Sequence, residues 1–94
     1  MSEIRVLLAD DEETLRENLA QVLREEGFQV IACRDGTQAL RALRQNPIDA
    51  LITDLRMPGV TGMDLIDHAR KLAPEAVIIV ITAFGEVETA VEAM

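Results

Sequence analysis

A chain of 94 residues with net charge -8 and pI near 4.5 makes one domain with a modest core. So acidic a surface repels a phosphate backbone and argues against direct nucleic-acid binding. Apolar residues at 49% suffice for a globular fold, while two phenylalanines and no Trp or Tyr exclude a base-stacking platform.

Cys33 is the single cysteine. It excludes an internal disulfide, fits a reducing compartment, and reads as a small semi-buried residue rather than a reactive thiol. Met1-Ser2-Glu3 has no basic region and no long apolar segment follows it. Neither a signal peptide nor a membrane span is expected, and the chain reads as cytoplasmic.

Ile4 to Ala9 is an apolar run that predicts a strand buried on both faces. Leu15, Leu19, Val22 and Leu23 recur at helical spacing, and Gly27 marks the stop. Phe28 to Ala32 predicts a second strand. Asp35 is placed to cap a helix with the apolar stripe Ala39, Leu40 and Leu43, which Asn46-Pro47 ends. Asp49 to Thr53 predicts a third strand. Pro58-Gly59 suits the middle of a type II turn. Thr61 caps the next helix, with Asp64 three residues on. That helix is expected to bury Leu65, Ile66, Ala69 and Leu72 and to stop before Pro74. The β-branched run from Val77 to Ile81 predicts a fourth strand. Val87, Ala90, Val91 and Met94 mark the start of a last helix.

Strict alternation of strand and helix predicts an α/β fold, a doubly wound parallel sheet with right-handed crossovers and helices on both faces. In such sheets function gathers at the C-terminal strand ends, near the point where strand order reverses. Asp10, Asp11, Asp54 and Thr82 all fall at such ends.

If the first and third strands are neighbours, Asp10, Asp11 and Asp54 share one pocket. Close carboxylates raise each other's pKa unless a cation intervenes. Mg2+ suits the site because it accepts one or two carboxylates, keeps several waters and binds phosphate oxygens. Asp54 is then a candidate nucleophile, since carboxylates form aspartyl-phosphate intermediates. Thr82 is a candidate donor to a phosphoryl oxygen. Plainer readings make Asp10 or Asp11 a helix cap and Asp54 a turn residue. The coincidence of all four at strand ends favours the metal or phosphate site. No glycine-rich phosphate loop follows the first strand. His68 reads as a solvated helix residue, Met57 and Met63 as packing residues. Glu12, Glu13 and Glu17 fall in the first turns of a helix, where the dipole favours acids.

The chain resembles the receiver domain of two-component response regulators. The residues that carry the resemblance are Val6-Leu7-Leu8-Ala9-Asp10-Asp11-Glu12, Asp54-Leu55-Arg56-Met57-Pro58-Gly59 with Gly62, and Ile81-Thr82-Ala83-Phe84-Gly85. The tail, from Thr82 to Met94, is most similar to receivers of enhancer-binding transcription activators. The resemblance implies a flavodoxin-like fold. It implies that Asp54 accepts a phosphoryl group from a sensor histidine kinase. Asp10, Asp11, Asp54 and the backbone carbonyl of Arg56 would hold Mg2+, and Thr82 would contact the phosphoryl group and switch. The chain would control an effector domain, most naturally a transcriptional one, and would act as a phosphoacceptor with at most self-phosphorylation and autodephosphorylation chemistry rather than as an enzyme.

Receivers have five strands and five helices. Set against that pattern, residues 1–94 read as one receiver domain incomplete at its C-terminal side, with four strands in order 2-1-3-4 and four helices. The lysine of the fifth strand has no counterpart. Lys71 is the one lysine and falls on the third helix, and Phe84 lies too close to Thr82 to serve as the aromatic switch residue. Impaired phosphorylation is expected of these 94 residues. The fourth strand is expected to be an open apolar edge, inviting self-association, or to be covered by the repacked last helix. Two further function classes compete: a non-catalytic interaction or oligomerising module with a relic acidic site, and a metal-dependent phosphatase. The phosphatase would need a second acid shortly after Asp54, where Arg56 stands instead.

Overall fold

The computed structural model describes residues 3–81 and the backbone of residues 87–89. In chain order the elements are β1 (Arg5–Ala9), α1 (Glu13–Glu25), β2 (Gln29–Cys33), α2 (Gly36–Gln45), β3 (Ala50–Asp54), α3 (Gly62–Leu72), β4 (Val77–Ile81) and β5 (Val87–Thr89). The sheet order is β2-β1-β3-β4-β5. The first four strands run parallel, as the alternating pattern predicts.

Side chains alternate across a strand, and the core divides accordingly. Leu7, Ala9, Leu51, Ile78 and Val80 face α2 and α3, joining Ala39, Leu43, Leu65, Ile66 and Ala69. Val6, Leu8, Ile52 and Ile81 face α1 through Ala20, with Leu19 and Leu23 packed against them. Leu7, Leu8, Leu51, Leu65, Ile66 and Ile78 are essentially inaccessible, and each full burial contributes about 1.5–3 kcal/mol. Leu72 was expected inside but is exposed, as are Leu15 and Val22 of the α1 apolar stripe. Helical spacing identifies a face, not how far along it the sheet extends.

The helix ends obey local chemistry. Asp35 caps α2 by accepting from Gln38 N–H at 2.8 Å. Thr61 and Asp64 form a reciprocal capping box on α3. Asp49 ties the opposite end of the sheet together. Its carboxylate accepts from Arg5 N–H at 2.8 Å, and its carbonyl accepts from Val77 N–H at 3.0 Å. On the outer edge of β2, Arg24 donates to the carbonyl of Val30 at 3.1 Å, satisfying a group that an edge strand leaves open.

The expected last helix does not form where the spacing placed its start. Val87–Thr89 is a strand, antiparallel to β4, with Ile79, Val80 and Ile81 opposite Thr89, Glu88 and Val87. Val77 N–H bonds to Asp49, just before β3 and on its side of β4, so alternation turns the polar backbone of Val80 outward. An unpaired apolar edge is costly, and β-branched Val87 and Thr89 suit a strand as well as a helix. Three helices are therefore present among the described residues, and β4 is not open over Ile79–Ile81. Thr82, Phe84, Ala90, Val91 and Met94 lie outside the described residues.

Two glycines let the site loop pack. A Cβ at Gly62 would collide with the carbonyl oxygen of Asp54 and stand 2.7 Å from Leu55 Cα; one at Gly36 would collide with the carbonyl oxygen of Val60. Backbone cannot yield cheaply to either. Gly62→Ala is expected to lower stability by about 2 kcal/mol, read as a lower urea midpoint at unchanged slope. A midpoint equal to that of the parent chain would contradict the close packing.

Candidate functional site

The register of β1 against β3 builds the site. Leu8 lies opposite Ile52 and Ala9 opposite Thr53, so one further step sets Asp10 opposite Asp54. Both continue the α1-facing rows of their strands, Val6-Leu8-Asp10 and Ala50-Ile52-Asp54. Asp11 follows as the chain turns toward α1. The three carboxylates each place an oxygen within 4.8 Å of the others. Asp10 is 1% exposed, Asp54 is half-buried and Asp11 is exposed.

Asp10 is held on every side but one. Its N–H donates to the carbonyl of Cys33 at 3.1 Å, its carbonyl accepts from Arg16 Nη1 at 3.1 Å, and Oδ1 accepts from Glu12 N–H at 2.8 Å. Oδ2 is buried and has no hydrogen-bond partner among the described residues. Burial lifts the Asp10 carboxyl above the usual carboxylate range; the Glu12 N–H opposes this, and the negative charges of Asp54, Asp11 and Glu12 add to it. Asp54 is oriented by its own loop: Oδ1 accepts from Arg56 N–H at 3.0 Å, and the Thr53 hydroxyl donates to its carbonyl at 2.9 Å.

A hard divalent cation fits this donor set. All donors are carboxylate oxygens, one of them a buried orphan. Oxygens across one coordination sphere stand about 4.2 Å apart around Mg2+ and about 4.8 Å around Ca2+, close to the span found. The capping alternative falls to another residue, since Glu12 caps α1 by accepting from Leu15 N–H. Asp54 closes β3 rather than beginning a loop.

The other candidates separate cleanly. Met57 is core, Met63 exposed. Among the described residues His68 bonds within its helix, to the carbonyl of Asp64 at 3.0 Å. Cys33 is buried, and burial and Asp35 push its thiol up against the pull of Arg16, as suits an inert packing residue. Ile81 lies opposite Asp54, and Thr82, next in the chain, lies outside the described residues. Arg16 was missed in the sequence. Its signal is a base in the first turns of a helix, where the dipole disfavours one.

A mainly parallel sheet with acids converging at its β1/β3 switch point is a doubly wound α/β fold with its candidate site where such folds bind ligands. The family described as response regulator receiver domain matches residues 6–94, and the chain belongs to that family, the receiving module of two-component systems. An NtrX-like response regulator of Rickettsia felis is 36% identical over 96 residues, covering all of this chain and 20% of that protein. The transcriptional regulatory protein GlrR of Escherichia coli is 36% identical over 88 residues, 94% of this chain and 20% of that protein. The chain thus spans between about a fifth and a third of the length of the curated relatives it matches. The response regulator TrrA of Thermotoga maritima, solved in complex with Mg(2+)-BeF, superposes with TM-score 0.78 at 36% identity, covering 85% of this chain and 70% of that one. Receivers bind Mg2+, serve as phosphoacceptors rather than classical enzymes, and work with sensor kinases and effector domains. Among the described residues no helix is long and apolar enough to cross a membrane.

The raised Asp10 value sets a pH dependence. The folded chain holds this proton more tightly than the unfolded chain. Stability therefore falls as pH rises from the ordinary carboxylate value through the raised one, and the penalty is full above it. Asp10→Asn is expected to melt a few degrees above the parent chain at pH 7 in chelator, with the gap closing near pH 3. A lower melting point at pH 7 would show that the buried charge is not a burden.

Proposed function

We propose that this chain accepts a phosphoryl group on Asp54 from the phosphohistidine of a sensor histidine kinase, and so controls an effector domain of its parent protein. Asp10, Asp11, Asp54 and the backbone carbonyl of Arg56 hold Mg2+. The ion, when bound, supplies positive charge for the phosphoryl oxygens. The carrying observation is the buried Oδ2 of Asp10, without a partner among the described residues, within a carboxylate cluster that includes Asp54.

Arg56 N–H holds Oδ1 of Asp54 and leaves Oδ2 to attack. The Oδ2–P bond forms as the P–N bond to histidine breaks, and its electron pair returns to the imidazole nitrogen. Thr82, following the residue opposite Asp54, hydrogen-bonds a phosphoryl oxygen and carries the change outward. Water attack at phosphorus breaks the Oδ2–P bond, releases inorganic phosphate and restores the Asp54 carboxylate. The relative named for transcriptional regulation supports a transcriptional effector and a cytoplasmic setting. Direct nucleic-acid contact is disfavoured by the -8 charge.

Lys71 does not complete the site. It lies nine positions along α3 from Gly62, roughly 14 Å down the helix axis. Phosphorylation of these 94 residues is accordingly slower than that of a longer chain that supplies a lysine to the site. Incubation with acetyl phosphate and Mg2+, followed by intact-mass measurement, should show slow gain of one phosphoryl group, and none in Asp54→Asn. Incorporation in Asp54→Asn would show that another residue is the acceptor. Self-association proceeds through the β4–β5 edge, by pairing to β5 or displacing it. Sedimentation coefficients should rise with concentration; a constant monomer value at high concentration refutes this.

A further inference from the structure

Arg16 is the fourth residue of α1. A cation there runs against the helix dipole, yet its side chain is only 13% exposed. Helical side chains lean toward the N-terminus, and Arg16 reaches back past the Glu12 cap to the end of β1. Nη1 donates to the Asp10 carbonyl at 3.1 Å. Nε lies 3.5 Å from Glu17 Oε2, on a side chain that is 61% exposed.

We propose that Arg16 is a positioning residue for the cation site, fixing the Asp10–Asp11 peptide and through it the aim of both carboxylates. This rests on the reading that the acidic cluster binds Mg2+. The accounting of Asp10 carries it. The N–H is tied to β2 through Cys33, Oδ1 to Glu12, and the carbonyl to Arg16; among the described residues only Oδ2 is left over. The Asp10 carbonyl belongs to the peptide that leads into Asp11. Asp11 is exposed and has no hydrogen bond of its own among the described residues. Its placement is therefore inherited from that peptide, and Arg16 is the side chain that holds it.

The competing role, a counter-charge for the three acids, predicts an effect of opposite sign. Removing a neighbouring positive charge strengthens attraction for Mg2+. Removing a positioning donor weakens it, by about tenfold for groups supporting metal ligands.

The test is Mg2+ titration of the 94-residue chain followed by amide chemical shifts, which read binding without phosphorylation. Arg16→Met keeps the apolar stem and loses charge and donor. Its Mg2+ Kd should rise about tenfold, with the metal-free Asp11 and Glu12 amides displaced and the Leu51 and Ile78 amides in place. Arg16→Lys keeps the charge and a shorter donor, and should fall between the two; it also serves if Arg16→Met does not fold. Unchanged or tighter binding in either folded variant overturns the proposal. If the parent chain shows no Mg2+-dependent shift, and Asp11→Asn behaves identically, the cation site itself is wrong.

Discussion

The structure depends on holding three carboxylates within 4.8 Å of each other at the end of a rigid sheet. Their mutual repulsion opposes folding, and one of them is almost fully buried. Such an arrangement persists only where its surroundings over-determine it. Here the β1–β3 register supplies the geometry, and an apolar sheet buried on both faces supplies the rigidity.

The loops around the site are tightened from below. Gly62 lets α3 start directly against the Asp54–Leu55 backbone, and Gly36 does the same for α2 against Val60. Gly59 takes φ of 75°, as the second central residue of the expected type II turn requires. The Asp54 loop is thereby closed between two helix N-termini, each fixed by its own cap. Rigid caps and close backbone contacts turn a flexible connection into one that aims a carboxylate, which a site acting by charge placement needs.

The edges of the sheet are handled by local means. Arg24 occupies the Val30 carbonyl on the β2 side, and three residues of strand occupy the β4 side. The segment around Val87 shows which force prevails. Its helical spacing is a weak local preference, whereas the exposed polar backbone of Val80 is a definite cost that a neighbouring strand removes.

Much of this was legible in the residues. The apolar run Val6-Leu7-Leu8-Ala9, the β-branched run from Val77 to Ile81, the Asp35 and Thr61 caps and the Pro58-Gly59 turn are local signals with local causes, and the sequence alone determined four parallel strands, the three helices between them and the three acids at strand ends. It also singled out Asp54, because a lone acid after a strand and before Pro-Gly is a chemical feature of the chain itself. The tertiary structure alone decided which oxygen is left without a partner, that Glu12 rather than Asp10 caps α1, that Arg16 grips the Asp10 peptide, that Leu15, Val22 and Leu72 stay outside, and that Val87–Thr89 is strand. Several of those depend on residues distant in sequence: Cys33 for Asp10, the extent of the sheet for Leu15, Val22 and Leu72, Val80 for Glu88. Periodicity and spacing report what a segment prefers, while burial and backbone pairing are settled only between segments.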